Sequence, residues 1–145
     1  MQKRKGFTLV ELVVVVMILG ILAAVAAPRL LGTSGTATDN GLRQTLSVVR
    51  DAIERYAASH NGDFPGTDET TFKTEIAPLL RGAFPTCPVG NATDGVDVTT
   101  TTTVPLPVNP SATTKGWRYN LENGEFIVNS GDNDNSETPV AYSTY

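Results

Sequence analysis

Few residues of this 145-residue chain have the type and setting to do chemistry. His60 is the only histidine, hence the only ordinary general base near neutral pH. No candidate nucleophile is grouped with it, and it sits where a helical pattern ends, a place where an imidazole usually serves as a solvated partner of the helix dipole. A catalytic role is not expected, and the chain reads as a non-enzyme. Cys87 is the single cysteine, which excludes an intrachain disulfide and a Cys-rich metal site. The run Ser130-Gly131-Asp132-Asn133-Asp134-Asn135-Ser136-Glu137 gathers oxygen-bearing side chains around a glycine turn. Such a run suits Ca²⁺, which takes about six to eight oxygen ligands; a solvated acidic turn is the other reading. The last candidate is Glu11, the only charge between Phe7 and Ala27. A carboxylate there costs up to a few kcal/mol near a bilayer centre and less near the interface.

Those 21 residues are almost entirely Val, Leu, Ile, Ala, Met and Phe. As a helix they would span roughly 32 Å, close to the roughly 30 Å hydrocarbon core of a bilayer. Lys3, Arg4 and Lys5 precede the segment and should hold its N-terminal end on the cytoplasmic side, sending the rest of the chain outward. Ala24, Ala26 and Ala27 resemble a signal-peptidase site, but the apolar stretch is long for a cleaved signal and Arg29 follows Pro28 directly. Without the first six residues, 8 basic residues face 15 acidic ones, a formal charge of −7 instead of −4. An acidic exposed domain disfavours nucleic-acid binding, which needs a basic face.

The neighbourhood Lys5-Gly6-Phe7-Thr8-Leu9-Val10-Glu11-Leu12, followed by an unbroken apolar helix to Pro28, resembles the processing site of type IV prepilins and type II secretion pseudopilins. The resemblance implies a basic leader, residues 1–6, removed by a prepilin peptidase between Gly6 and Phe7, with N-methylation of the new Phe7 amine. It also implies that Glu11 faces the Phe7 amine of a neighbouring subunit during assembly, and that Pro28 occupies a position where many such subunits carry proline. A buried carboxylate is costly unless it meets an opposite charge, so assembly would supply what the membrane lacks.

Residues 7–31 are thus expected as a transmembrane and assembly helix, kinked or melted after Pro28, which lacks an N–H and crowds the preceding turn. Gly32, Gly35 and Gly41, among Thr and Ser, point to a non-helical or easily melted linker over 32–41. Helix resumes with Leu42, Leu46, Val49, Ile53 and Tyr56 at 4-3-4-3 spacing, one apolar stripe on an amphipathic helix 42–61, and Arg50–Glu54 and Asp51–Arg55 at i,i+4 on other faces. Gly62 supplies its cap. A short helix near 68–80 should turn Phe72, Ile76, Leu79 and Leu80 inward. Residues 81–115 are irregular; Thr99–Thr103 reads as an edge strand or a surface loop, and Asn91-Ala92-Thr93 is a formal glycosylation sequon. A hairpin over 117–130 turns at Asn123-Gly124, and an acidic loop follows at 131–137.

Tyr56 with Asn61-Gly62 and Phe64-Pro65, and later Trp117-Arg118-Tyr119, Gly124-Glu125-Phe126 and Ser130-Gly131-Asp132, are similar to the helix end and C-terminal sheet of major pseudopilins. The fold implied is α+β and pilin-like: a long N-terminal helix packed on a small antiparallel sheet in a head spanning 42–145. Since major pseudopilins commonly bind calcium after this sheet, Asp132 and Asp134 are the expected ligands. The function implied is a filament subunit, foremost a major pseudopilin driving export, otherwise a type IV pilin for adhesion, motility or DNA uptake. Expected partners are further copies of the chain, the prepilin peptidase, an inner-membrane platform protein, an assembly ATPase and, before assembly, the lipid bilayer. The subunit would be a single-pass inner-membrane protein until it enters a filament. A membrane-tethered binding protein, whose helix never assembles, is the reading from a different class.

Overall fold

The computed structural model describes residues 7–136 and 138–145, and only the backbone of residues 28–34. The leader and Gly6, and Glu137 of the acidic loop, lie outside the described residues. The chain divides into two compact units, Met1–Gly35 and Thr36–Tyr145.

One helix, α1, is assigned over Leu9–Ser59. Its part in the first unit carries the apolar run, with Leu9, Val10, Met17, Ile18 and Leu22 all exposed. The backbone stays helical through residues 28–41, so neither the non-helical linker at 32–41 nor melting after Pro28 is present. The reason lies in cooperativity. Each glycine costs about 1 kcal/mol in a helix interior, yet stopping there would require nucleating a second helix at a penalty in equilibrium constant of about a thousandfold. From Asp39 onward tertiary contacts add to this, because Asp39 and Leu42 are already buried in the head.

In the second unit Leu42, Leu46, Val49 and Ile53 are at most 1% exposed, and Ala52 joins them. Tyr56, the last of the stripe, is half-buried and stacks on His60 with ring centroids 3.9 Å apart. The helix closes as Gly62, at φ 95°, donates its N–H to the Ala57 carbonyl (2.8 Å). Glycine adopts that left-handed conformation without steric cost. Phe64 then packs against the core.

Helix α2 (Glu69–Ile76) starts from a capping box. The Asp68 carboxylate accepts the Thr70 and Thr71 N–H groups (2.8 and 3.0 Å), while Thr71 Oγ1 accepts the Asp68 N–H. Phe72 and Ile76 face inward, fully buried. A 3₁₀ turn, Ala77–Leu79, follows.

Three strands form one sheet in the order β1 (Val96–Thr99), β2 (Trp117–Asn120), β3 (Phe126–Val128). The sheet is mixed, not antiparallel as expected: β1 runs parallel to β2, and only β2–β3 is an antiparallel hairpin. A parallel pair needs a crossover, which residues 100–116 provide without a helix. Side-chain alternation places Trp117, Tyr119, Phe126 and Val128 on the core face, each 0% exposed, against the stripe of α1. Trp117 and Phe126 stack at 5.3 Å, and the indole N–H donates to the Pro85 carbonyl (2.9 Å). Only β1, which includes Thr99, draws on the threonine run.

The crossover is pinned over the opposite sheet face. The Leu106 N–H donates to Glu125 Oε1 (2.9 Å), and the Asn109 N–H to Asn129 Oδ1 (2.7 Å). Asn91 Nδ2 donates to the Ala112 and Lys115 carbonyls, and the Thr93 hydroxyl to the Thr114 carbonyl. Both polar ends of the formal sequon are therefore engaged in holding the loop.

Candidate assembly site and the acidic loop

The apolar part of α1, Leu9–Ala27, is 19 residues long and by length and composition can cross a membrane. At 1.5 Å per residue it measures about 28 Å. Phe7, 77% exposed, stands just before its first turn. Glu11 is tied to that first turn: Glu11 Oε2 accepts the Thr8 N–H (2.9 Å) and the Thr8 hydroxyl (2.7 Å), while the Glu11 N–H donates to Thr8 Oγ1 (3.3 Å). This is a reciprocal capping box, in which a hydroxyl residue and a glutamate three positions later satisfy otherwise unpaired helix-end donors. The spacing Thr8-x-x-Glu11 carries the signal for this box in the sequence. Phe7 and Glu11 are thus brought to one helix end. Pro28 lies in helical backbone.

His60 lies at the C-terminal end of α1. Its Nδ1 lies 2.9 Å from the Tyr56 carbonyl and 3.0 Å from Ser59 Oγ, so it finishes the end of α1. Cys87 is buried, with its thiol on the Val89 carbonyl, and burial pushes that thiol's pKa up.

Asp132 and Asp134 lie where two short backbone segments meet. The Asp134 N–H donates to the Val140 carbonyl, and the Tyr142 N–H to the Asp132 carbonyl (both 2.9 Å). The two carboxylates have different settings. Asp132 is exposed and accepts the Ser130 hydroxyl (2.8 Å). Asp134 is buried, and both of its oxygens are occupied. Oδ1 accepts the Ser136 hydroxyl (2.7 Å), the Ser136 N–H (3.3 Å) and the Val140 N–H (3.0 Å). Oδ2 accepts the Tyr145 hydroxyl and lies 3.4 Å from Arg43 Nη2. These donors, the tyrosine first, hold the Asp134 carboxyl well below the usual carboxylate range. Among the described residues no three His, Cys, Asp or Glu side chains are grouped to hold a metal ion.

Residues of α1 missed in the sequence complete this region. Asp39 Oδ1 accepts the Tyr142 hydroxyl (2.7 Å), and Asp39 Oδ2 the Asn135 N–H (2.9 Å). The Arg43 guanidinium lies 3.9 Å over the Tyr145 ring. Arg50, expected to pair with Glu54, instead donates twice to the Phe126 carbonyl (3.0 and 2.8 Å) and once to the Tyr145 carbonyl (2.6 Å). Two carbonyls inside the head hold this guanidinium better than an exposed i,i+4 carboxylate, whose attraction water screens. The only sequence trace of this seam is the 4-7 spacing of Asp39, Arg43 and Arg50.

An apolar N-terminal helix behind a Gly-Phe-Thr-x-x-Glu start, continuing into a small α+β head, defines a pilin-like architecture. Residues 1–27 match the family model described as the prokaryotic N-terminal methylation motif. Over 69 residues the chain is 35% identical to the type II secretion system core protein G of Klebsiella pneumoniae, covering 48% of this chain and 49% of that protein. It is 39% identical over 69 residues to the core protein G of Vibrio cholerae serotype O1, covering 48% and 47%. It is 41% identical over 51 residues to the type IV narrow pilus major component PilA5 of Thermus thermophilus, covering 35% and 44%. The chain spans about half the length of the curated relatives it matches. No solved structure matches it.

Proposed function

We propose that this chain is a structural subunit of a type IV pilus-like filament, acting as the major pseudopilin of a type II secretion system that polymerises through α1 to drive protein export. The observation that carries the reading is Glu11, a carboxylate one turn into an exposed apolar helix whose described donors, all from Thr8, carry no charge. An ammonium group is a stronger partner for a carboxylate in a low-dielectric core. Cleavage between Gly6 and Phe7 by a prepilin peptidase creates such a group at Phe7. The amine of one subunit then pairs with Glu11 of its neighbour and fixes the stagger between copies. The subunit waits in the inner membrane with its head outside, and a platform protein and an assembly ATPase draw it into the filament. The match to a pilus component of Thermus thermophilus favours a second reading, a type IV pilin for adhesion, motility or DNA uptake.

Glu11→Leu tests the proposal. Membrane fractions should retain the subunit in full while sheared filaments are lost, and the exported substrate should accumulate inside the cell. Wild-type filament yield from this variant would overturn pairing through Glu11. Lost surface pili with intact secretion would select the pilin reading.

A further inference from the structure

The resemblance implies a calcium ion after the sheet, and the donor arrangement around Asp134 does not fit one. A calcium ion takes about six to eight oxygens at about 2.3–2.6 Å and needs carboxylate lone pairs turned toward it. Asp134, the only buried carboxylate of the loop among the described residues, receives five donor contacts on its two oxygens. A carboxylate offers about four lone-pair directions, so none is left over. Neighbouring oxygens accept hydrogen bonds too: the Asp132 carbonyl from the Tyr142 N–H, and the Val140 carbonyl from the Asp134 N–H. The place beside Asp134 Oδ2 already holds a positive charge, the Arg43 guanidinium stacked on Tyr145.

We infer that this head closes its C-terminal loop without a metal, through two aspartate–tyrosine clamps, Asp39–Tyr142 and Asp134–Tyr145, with Arg43 supplying the positive charge that calcium would otherwise bring. The clamps bridge 103 and 11 positions of sequence. Asp39–Tyr142 and the Arg43–Asp134 contact fasten the C-terminal segment to one face of α1, Asp134–Tyr145 closes that segment on itself, and Arg50 adds a further tie to α1 through the Tyr145 carbonyl. Head stability is therefore independent of the divalent-cation level outside the cell. The inference concerns only how the head is held together, and it stands whether or not the chain polymerises.

The test is thermal unfolding of the full-length chain in detergent, followed by Trp117 fluorescence, in millimolar Ca²⁺ and in EGTA. The two midpoints should coincide within about 1 °C, and calorimetric titration with Ca²⁺ should give no binding heat. Arg43→Gln and Tyr145→Phe should each lower the midpoint by about 4–8 °C, equally in both buffers. A calcium-dependent rise of several degrees in the wild-type chain, abolished in Asp134→Asn, would overturn the inference. So would wild-type midpoints for both Arg43→Gln and Tyr145→Phe. The wild-type comparison needs no variant, so a substitution that fails to fold leaves the test intact.

Discussion

Single side chains in this molecule are held in ways that predict opposite responses to similar substitutions. Tyr142 and Tyr119 are both buried tyrosines. The Tyr142 hydroxyl donates to Asp39, whereas the Tyr119 hydroxyl has no partner among the described residues. Removing a hydroxyl that donates to a buried carboxylate costs about 1–3 kcal/mol, while removing an unsatisfied one is neutral or stabilising. Chemical denaturation should therefore show Tyr142→Phe weakened and Tyr119→Phe unchanged or stronger. A second pair of outcomes follows from Glu69. Partial burial raises its pKa, but hydrogen bonds from Lys115, Lys73 and the Val96 N–H outweigh this and lower it to about 2. With the folded pKa below the unfolded one, the contribution of Glu69 is complete above about pH 4.5 and disappears as pH falls toward 2. Melting temperatures across pH 2–6 should fall with acid, and Glu69→Gln should flatten that slope. An unaltered slope in the variant would show that Glu69 does not carry it.

At the scale of elements, the stripe of α1 and the hairpin form one core, and its residues should respond as core residues do. Leu46→Ala, at a site 1% exposed, should cost about 2–5 kcal/mol of unfolding free energy. Gly124→Ala should also be costly, because φ is 73° and the added Cβ would lie 2.4 Å from Phe64 Cε1. Denaturant unfolding of both variants checks this pairing of helix stripe and turn. What was legible in the sequence at this scale was local: the 4-3-4 spacing of Leu42, Leu46, Val49 and Ile53, the Asn61-Gly62 helix end, and the Asn123-Gly124 turn. The persistence of helix through Gly32, Gly35 and Gly41 was not legible, because residue propensities miss the cost of nucleating a helix twice. Nor was the parallel β1–β2 pair, since no local pattern fixes the direction in which a 17-residue irregular crossover returns its strand. The ties from Asp39 to Asn135 and from Arg50 to Phe126 link residues 96 and 76 positions apart, beyond the reach of any periodicity.

For the whole molecule, the chain joins an exposed apolar helix to a head with its own core, and the proposed function asks something different of each. The head needs burial and the clamps. On the proposed function, the helix places its apolar surface first in lipid and then against other copies. Glu11 stands out in the sequence because a carboxylate in that setting is costly, and the proposed function is what gives that cost a purpose. Its capping box with Thr8 gives Glu11 an uncharged partner, which the proposed assembly would exchange for the Phe7 ammonium of the next copy. The proposed exchange would require a free N-terminal amine at Phe7. Mass spectrometry of the intact mature protein, purified from cells with an active prepilin peptidase, measures it directly. The expected species begins at Phe7 and carries one methyl group on its amine. A mature chain that begins beyond Ala27, with the apolar helix cut away, would contradict assembly through Glu11.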